Sequence, residues 1–244
     1  MSFIGYAQDS AHVVPIGNWV LATGCRETAG LGAGAHTSVN VSARQLQHPT
    51  LSSSVKAALS SSGLAPERLI LEITETASLT DLHGVVATLH ELRELGVQVA
   101  LDDFGTGSSP LSYLQQLPVD YLKIDHSFVR GITTTHKDVA IVRGVVEMAH
   151  ALGMRAVAEG VEDQAQAELL RQMGCDLAQG YLWQRPAPFD QLRSSIVDPC
   201  RRAGRRGVVA ERRREPPQAA EQAGYRVDGS QHHQPGQAAV PGQR

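Results

Sequence analysis

Apolar and polar positions along this chain switch between two periods. Short β-rich runs recur at Thr37–Val41, Leu69–Ile73, Val97–Leu101, Tyr121–Ile124, Arg155–Ala158 and Leu177–Tyr181. Between them, apolar residues fall at helical spacing. Val85, Val86, Leu89, Leu92 and Leu95 mark one such segment, and Val139, Ile141, Val142, Val145, Val146 and Ala149 another. A further helix is predicted from about Pro15 to Ala29, with no convincing strand before it. Gly63, Gly96, Gly153 and Gly174 each follow a helical segment. That is where a left-handed residue closes a helix and turns the chain into the next strand.

Strand, helix and glycine in strict alternation imply a parallel sheet, and so an α/β fold. A closed TIM-type (β/α)8 barrel has eight strands in roughly 250 residues. Six predicted strands give an incomplete barrel, lacking about the first two strands. The expected organisation is a barrel domain over residues 1–190 and a disordered tail over 191–244. After about Asp198 the texture turns to Arg, Gln, Pro, Gly and Ala without apolar periodicity.

Composition sharpens this picture. The chain is 42% hydrophobic over 244 residues, enough for one sizeable core. Its net charge of −3 hides a split. Residues 201–244 hold nine arginines and four acids, a net of +5, which leaves −8 on residues 1–200. An acidic body suits a protein that gathers carboxylates around divalent metal and does not suit a general nucleic-acid binder. Cys25, Cys175 and Cys200 are too widely spaced for a disulfide framework or a zinc site, so a reducing cytosol is the default compartment. The first residues lack the basic and apolar regions of a signal peptide, and no stretch reaches the roughly 18 apolar residues of a membrane span.

Polar residues recur at the strand ends. Asn40 lies in the first strand. Glu72 lies in the second, followed by Glu75. Asp102 and Asp103 follow the third, Lys123 and Asp125 end the fourth, Glu159 and Glu162 follow the fifth, and Gln179 lies in the sixth. Strand ends on the C-terminal face of a barrel converge on one mouth. Adjacent carboxylates there favour a cation between them, and oxygen donors suit Mg²⁺ or Mn²⁺. Singly, each has a plainer reading: a solvated strand-end acid, a helix N-cap for Asp102–Asp103, a surface ion pair for Lys123 and Asp125. Their joint placement on one rim favours the mouth. His36, His48, His83, His90, His126, His136 and His150 show no ligand spacing and read as structural or exposed. Tyr181 and Trp183 read as barrel packing rather than base-stacking platforms.

The motifs Ser38-Val39-Asn40-Val41-Ser42-Ala43-Arg44-Gln45, Leu71-Glu72-Ile73-Thr74-Glu75, Ala100-Leu101-Asp102-Asp103-Phe104-Gly105-Thr106-Gly107, Leu111-Ser112-Tyr113-Leu114, Leu122-Lys123-Ile124-Asp125, Ala158-Glu159-Gly160-Val161-Glu162 and Gln179-Gly180-Tyr181-Leu182 stand in this order. The series resembles the EAL family of cyclic-di-GMP phosphodiesterases over roughly residues 2–190. The resemblance implies Mg²⁺- or Mn²⁺-dependent hydrolysis of cyclic-di-GMP to the linear dinucleotide pGpG. It implies Asn40, Glu72 and Asp102 as ligands of one metal, and Asp102, Asp103 and Glu159 around a second. It further implies Lys123, Glu159 and Gln179 as the groups that handle the catalytic water. Glu75 and Glu162 would hold the loop after Asp103. Arg185 and Pro186 resemble a segment near the guanine pocket, with a plain loop role equally open. The family's Glu-Ala-Leu tripeptide, whose Glu is a metal ligand, is absent from these 244 residues. The loop after Gly107 reads Ser108-Ser109-Pro110 where the family has Tyr-Ser-Ser, near the family's homodimer contact. Two rival readings remain: a catalytically inactive cyclic-di-GMP-binding or partner-binding remnant, and an unrelated metal-dependent barrel enzyme.

Overall fold

The computed structural model of the chain describes residues 12–32, 34–75, 82–105 and 114–197, with side chains to residue 193. Among them run six strands: β1 (Thr37–Val41), β2 (Leu69–Thr74), β3 (Gln98–Phe104), β4 (Tyr121–Ile124), β5 (Arg155–Ala158) and β6 (Leu177–Ala178). The described helices are α1 (Val13–Ala29), α2 (Ala43–Leu46), α3 (Leu51–Ser62), α4 (Leu82–Glu94), α5 (His126–Arg130), α6 (His136–Ala151), α7 (Gln164–Gln172) and α8 (Phe189–Val197).

The strands form one sheet in chain order, and every neighbouring pair is parallel. Right-handed crossovers that all step the same way place the helices on one face of the sheet. The other face is then the inside of a barrel wall, as the sequence predicted. Glycine closes helices where expected, with φ of 68° at Gly63 after α3 and 91° at Gly96 after α4.

The core lies between sheet and helices. Leu69, Leu71 and Ile73 of β2 and Leu122 and Ile124 of β4 are almost fully buried. Val85, Leu89 and Leu92 of α4 and Val142, Val146 and Ala149 of α6 meet them at helical spacing.

One device recurs at the N-terminal strand ends. Asp120, just before β4, accepts from Val99 N of β3 at 2.9 Å and donates its own N–H to Val99 O at 2.8 Å. Arg93 at the end of α4 reaches the same carboxylate at 2.9 Å. Asp176, just before β6, repeats this with Ala156 of β5, at 2.9 Å and 3.2 Å. His150 at the end of α6 lies 2.7 Å from it. Each acid thus has a backbone donor on the neighbouring strand and a basic side chain from the helix that leads into that strand.

Of the boundaries that differ from the sequence reading, three move by more than a residue or two or shift a site residue. β3 runs to Phe104, through the aspartate pair. β6 is only Leu177–Ala178, so Gln179 stands just beyond it. Helix α8 crosses the expected 190/191 boundary, because Phe189 and Leu192 extend an apolar helical pattern past it. Residues 1–11, residues 106–113 with Ser108-Ser109-Pro110, and the residues from 198 on, where the loop and tail were expected, lie outside the described residues.

Candidate active site

In β2 and β4 the alternation of a strand puts Glu72 and Lys123 on the face opposite the core leucines and isoleucines. Both are buried, and they meet across β3. Lys123 Nζ lies 2.7 Å from Glu72 Oε2, 3.0 Å from Asp102 Oδ1 and 2.5 Å from Glu159 Oε1. An ammonium carries three N–H donors, and here three carboxylates surround it. Burial works against the lysine's charge, but Glu72 and then Glu159 overcome it and hold the ammonium above the usual lysine range. Burial pushes Glu159 up. Lys123 opposes that shift, and the charges of Asp102 and Glu72 add to it.

The aspartate pair sits in a bulge. Leu101 pairs with Leu122 and Phe104 with Ile124, so Asp102 and Asp103 together oppose Lys123. Asp103 has φ of 57°, the one positive value at a non-glycine among the described residues, in a region Asp tolerates better than most. Its N–H donates to Asp102 Oδ1 at 2.9 Å. In a regular strand these neighbours would face opposite sides. Instead one oxygen each from Asp102, Asp103 and Glu159 lies within 4.8 Å of the others. Burial and then the charges of Asp102 and Asp125 raise the Asp103 carboxyl above its usual range.

The other predicted residues take varied places. Gln179 donates through Nε2 to Glu159 Oε1 at 2.7 Å. Glu75, buried directly after β2, accepts from Gly105 N at 3.3 Å, two residues past Asp103. Asn40 is exposed on β1 beside its register partner Glu72. Glu162 is exposed, and its N–H donates to Gln166 Oε1 at 2.7 Å. Lys123 and Asp125 form no surface ion pair with each other; each is buried among partners of its own. Asp125 caps α5, accepting from Ser127 N at 3.0 Å and from the Ser127 hydroxyl, and it lies 2.9 Å from His126 Nδ1. Burial would raise its carboxyl, but Ser127 and His126 together hold it below its usual range.

Beside the cluster lies a cavity of about 850 Å³, lined among others by His126, Arg130, Glu159, Glu162, Gln184 and Pro186. Tyr181 stands on its wall, 52% exposed, with the Arg185 guanidinium 4.7 Å from its ring centroid. This corrects the expected packing of Tyr181. β6 ends at Ala178, so Tyr181 falls beyond the apolar wall. Trp183 packs against the core as expected. Sequence reasoning missed the cavity roles of His126, Arg130 and Gln184. The signal for the first two was present: they lie four apart on a helix that starts at a strand end.

Hard carboxylate oxygens converging from β3 and β5, with no sulfur or imidazole among them, fit Mg²⁺ or Mn²⁺. No helix among the described residues is long and apolar enough to cross a membrane.

A family model described as the EAL domain matches residues 1–186. The chain is 40% identical to the bifunctional diguanylate cyclase/cyclic di-GMP phosphodiesterase MucR of Pseudomonas aeruginosa, over 80% of this chain and 29% of that protein. It is 40% identical to the cyclic di-GMP phosphodiesterase NbdA of the same organism, over 78% of this chain and 25% of that one. The chain spans about a quarter to a third of the length of these relatives. A solved structure of the MucR phosphodiesterase in complex with c-di-GMP matches with a TM-score of 0.74 and 41% identity, covering 78% of each chain. The EAL domain of Mycobacterium smegmatis DcpA matches with a TM-score of 0.72 and 40% identity, over 75% of this chain and 84% of that one.

Proposed function

The chain belongs to the EAL-domain family, and from that membership and its strand-end cluster we propose that it hydrolyses cyclic-di-GMP in a metal-dependent reaction. Water adds to one phosphorus, the P–O3′ bond breaks, and the linear dinucleotide pGpG leaves with a 5′-phosphate. The observation that carries this reading is the convergence of Asp102, Asp103 and Glu159 around a buried lysine.

Mg²⁺ or Mn²⁺, held by Asp102, Asp103 and Glu159 and by Asn40, Glu72 and Asp102, would supply a water of lowered pKa and charge stabilisation at the phosphate. Glu159, whose pKa burial raises, is suited to take the proton of the attacking water. Lys123 orients that water and offsets the negative charge that grows on the phosphoryl oxygens. Gln179 fixes the Glu159 carboxylate by its 2.7 Å hydrogen bond. Glu75, through Gly105, restrains the backbone that carries Asp103. Glu162 is assigned with it to the loop after Asp103. The Tyr181–Arg185 stack, with Pro186, offers the cavity wall a flat cationic face suited to a purine.

The test is chromatography of cyclic-di-GMP incubated with the chain and Mg²⁺ or Mn²⁺. The expected result is stoichiometric conversion to pGpG that chelation stops. Binding of cyclic-di-GMP without any turnover would instead support the inactive, ligand-binding reading.

A further inference from the structure

Past the last paired residues, Ala158 and Ala178, the segments that follow β5 and β6 stay hydrogen-bonded, backbone to backbone. Gln179 N–H donates to Ala158 O at 2.8 Å, Val161 N–H to Gln179 O at 3.0 Å, and Leu182 N–H to Val161 O at 3.0 Å. Gly180 lies inside this ladder. A Cβ there would overlap Val161 O and Val161 N and stand 2.7 Å from Val161 C. All three are backbone atoms, so no rotamer change relieves the overlap, and the two segments would have to part. Position 180 also joins two functional parts. Gln179 before it holds Glu159 at 2.7 Å, and Tyr181 after it stacks with Arg185 on the cavity wall.

We infer that Gly180 is a positioning residue of the active site: its missing side chain lets the β5 and β6 segments close, and that closure keeps Gln179 on Glu159. The catalytic consequence rests on the hydrolytic reading; the structural one does not. Gly160 on the neighbouring segment differs in kind. Its Cβ would meet a side-chain atom, His126 Cβ, at 2.7 Å. Gly63, with φ of 68° and nothing within 4 Å of an added methyl, provides a control for a glycine whose loss strains the backbone far from the site.

The experiment combines a crystal structure of Gly180→Ala with turnover of Gly180→Ala, Gln179→Ala and the double variant. In Gly180→Ala the Gln179–Glu159 separation is expected to exceed about 3.5 Å, beyond hydrogen-bond length. Its kcat should fall roughly 10- to 100-fold with a smaller change in KM. The double variant should be no slower than the slower single, since both changes break one contact. Gly63→Ala should lower Tm and leave kcat unchanged. A Gln179–Glu159 contact kept at hydrogen-bond length, or multiplying losses in the double variant, overturns the inference. Should Gly180→Ala fail to fold, hydrogen exchange of the unaltered chain decides. The Val161 and Leu182 amides must be protected to the level of β5 amides, and rapid exchange of both overturns the closure. A chain without turnover whose contact still breaks in Gly180→Ala counts against the hydrolytic reading and supports the positioning role.

Discussion

The two ends of the same sheet use acids in opposite ways. At the N-terminal end, Asp120 and Asp176 each have a neighbouring-strand N–H and a basic side chain of their own, Arg93 or His150. At the C-terminal end, Glu72, Asp102 and Glu159 share a single lysine, and Asp103 adds a further negative group beside them. The first arrangement is locally satisfied and ties strands and helices together. The second leaves an excess of negative charge beside a cavity that Glu159 lines. Repulsion of that kind is costly unless a cation or a proton relieves it. The contrast separates a stabilising rim from a working one.

The largest expected effect breaks the working rim. Lys123→Met leaves three carboxylates in a buried cluster without their ammonium. It should cost roughly 3–5 kcal/mol in denaturant-induced unfolding and abolish turnover. Added Mg²⁺ should recover part of that stability. Arg93→Met at the other rim, an exposed pair, should cost no more than about 1 kcal/mol. If the two substitutions destabilise equally, the contrast between the rims is lost.

Glu159→Gln should lower kcat by roughly 10²- to 10⁴-fold while the fold is kept, as read by steady-state kinetics beside circular dichroism. Asp120→Ala reverses this pattern. It removes the acceptor of Val99 N and should cost about 1–3 kcal/mol of stability with kcat unchanged. Turnover that survives Glu159→Gln refutes the assigned role, and turnover lost in Asp120→Ala blurs the two rims.

The smallest expected effect is a pH dependence. Folding raises the carboxyl pKa of Asp103. The folded state therefore holds that proton more tightly than the unfolded chain. Asp103 then costs stability above the unfolded carboxylate value of about 3.9, and the cost vanishes below it. Metal-free Asp103→Asn should melt higher than the parent at neutral pH, and the two melting curves should converge near pH ~3, below that value. A constant difference across that range would remove the electrostatic explanation.

Much of this was legible in the sequence because parallel barrels leave a strong trace. Apolar runs, helical periodicity and closing glycines located the strands from β1 to β5 to within a few residues, and the strand-end acids were visible beside them. The bulge was not. Whether β3 stops at Leu101 or carries on depends on Asp103 entering the left-handed region, and the pairing with Leu122 and Ile124 decides that. The exposure of Tyr181 was hidden for a related reason. Leu177–Tyr181 reads as a strand by composition, yet pairing with β5 ends at Ala178 and a turn follows Gly180. The matched acids of the N-terminal rim were not legible either, since Asp120 and Asp176 find their partners across strands rather than along the chain.

Calorimetric titration with Mn²⁺ distinguishes a C-terminal rim built for a divalent cation from an N-terminal rim that is not. The parent chain, Asp103→Asn and Asp120→Ala would be compared at one pH. Saturable binding to the parent is expected, weakened at least about tenfold in Asp103→Asn and unchanged in Asp120→Ala. Absence of saturable binding to the parent, or equal weakening in both variants, would contradict that division of the sheet.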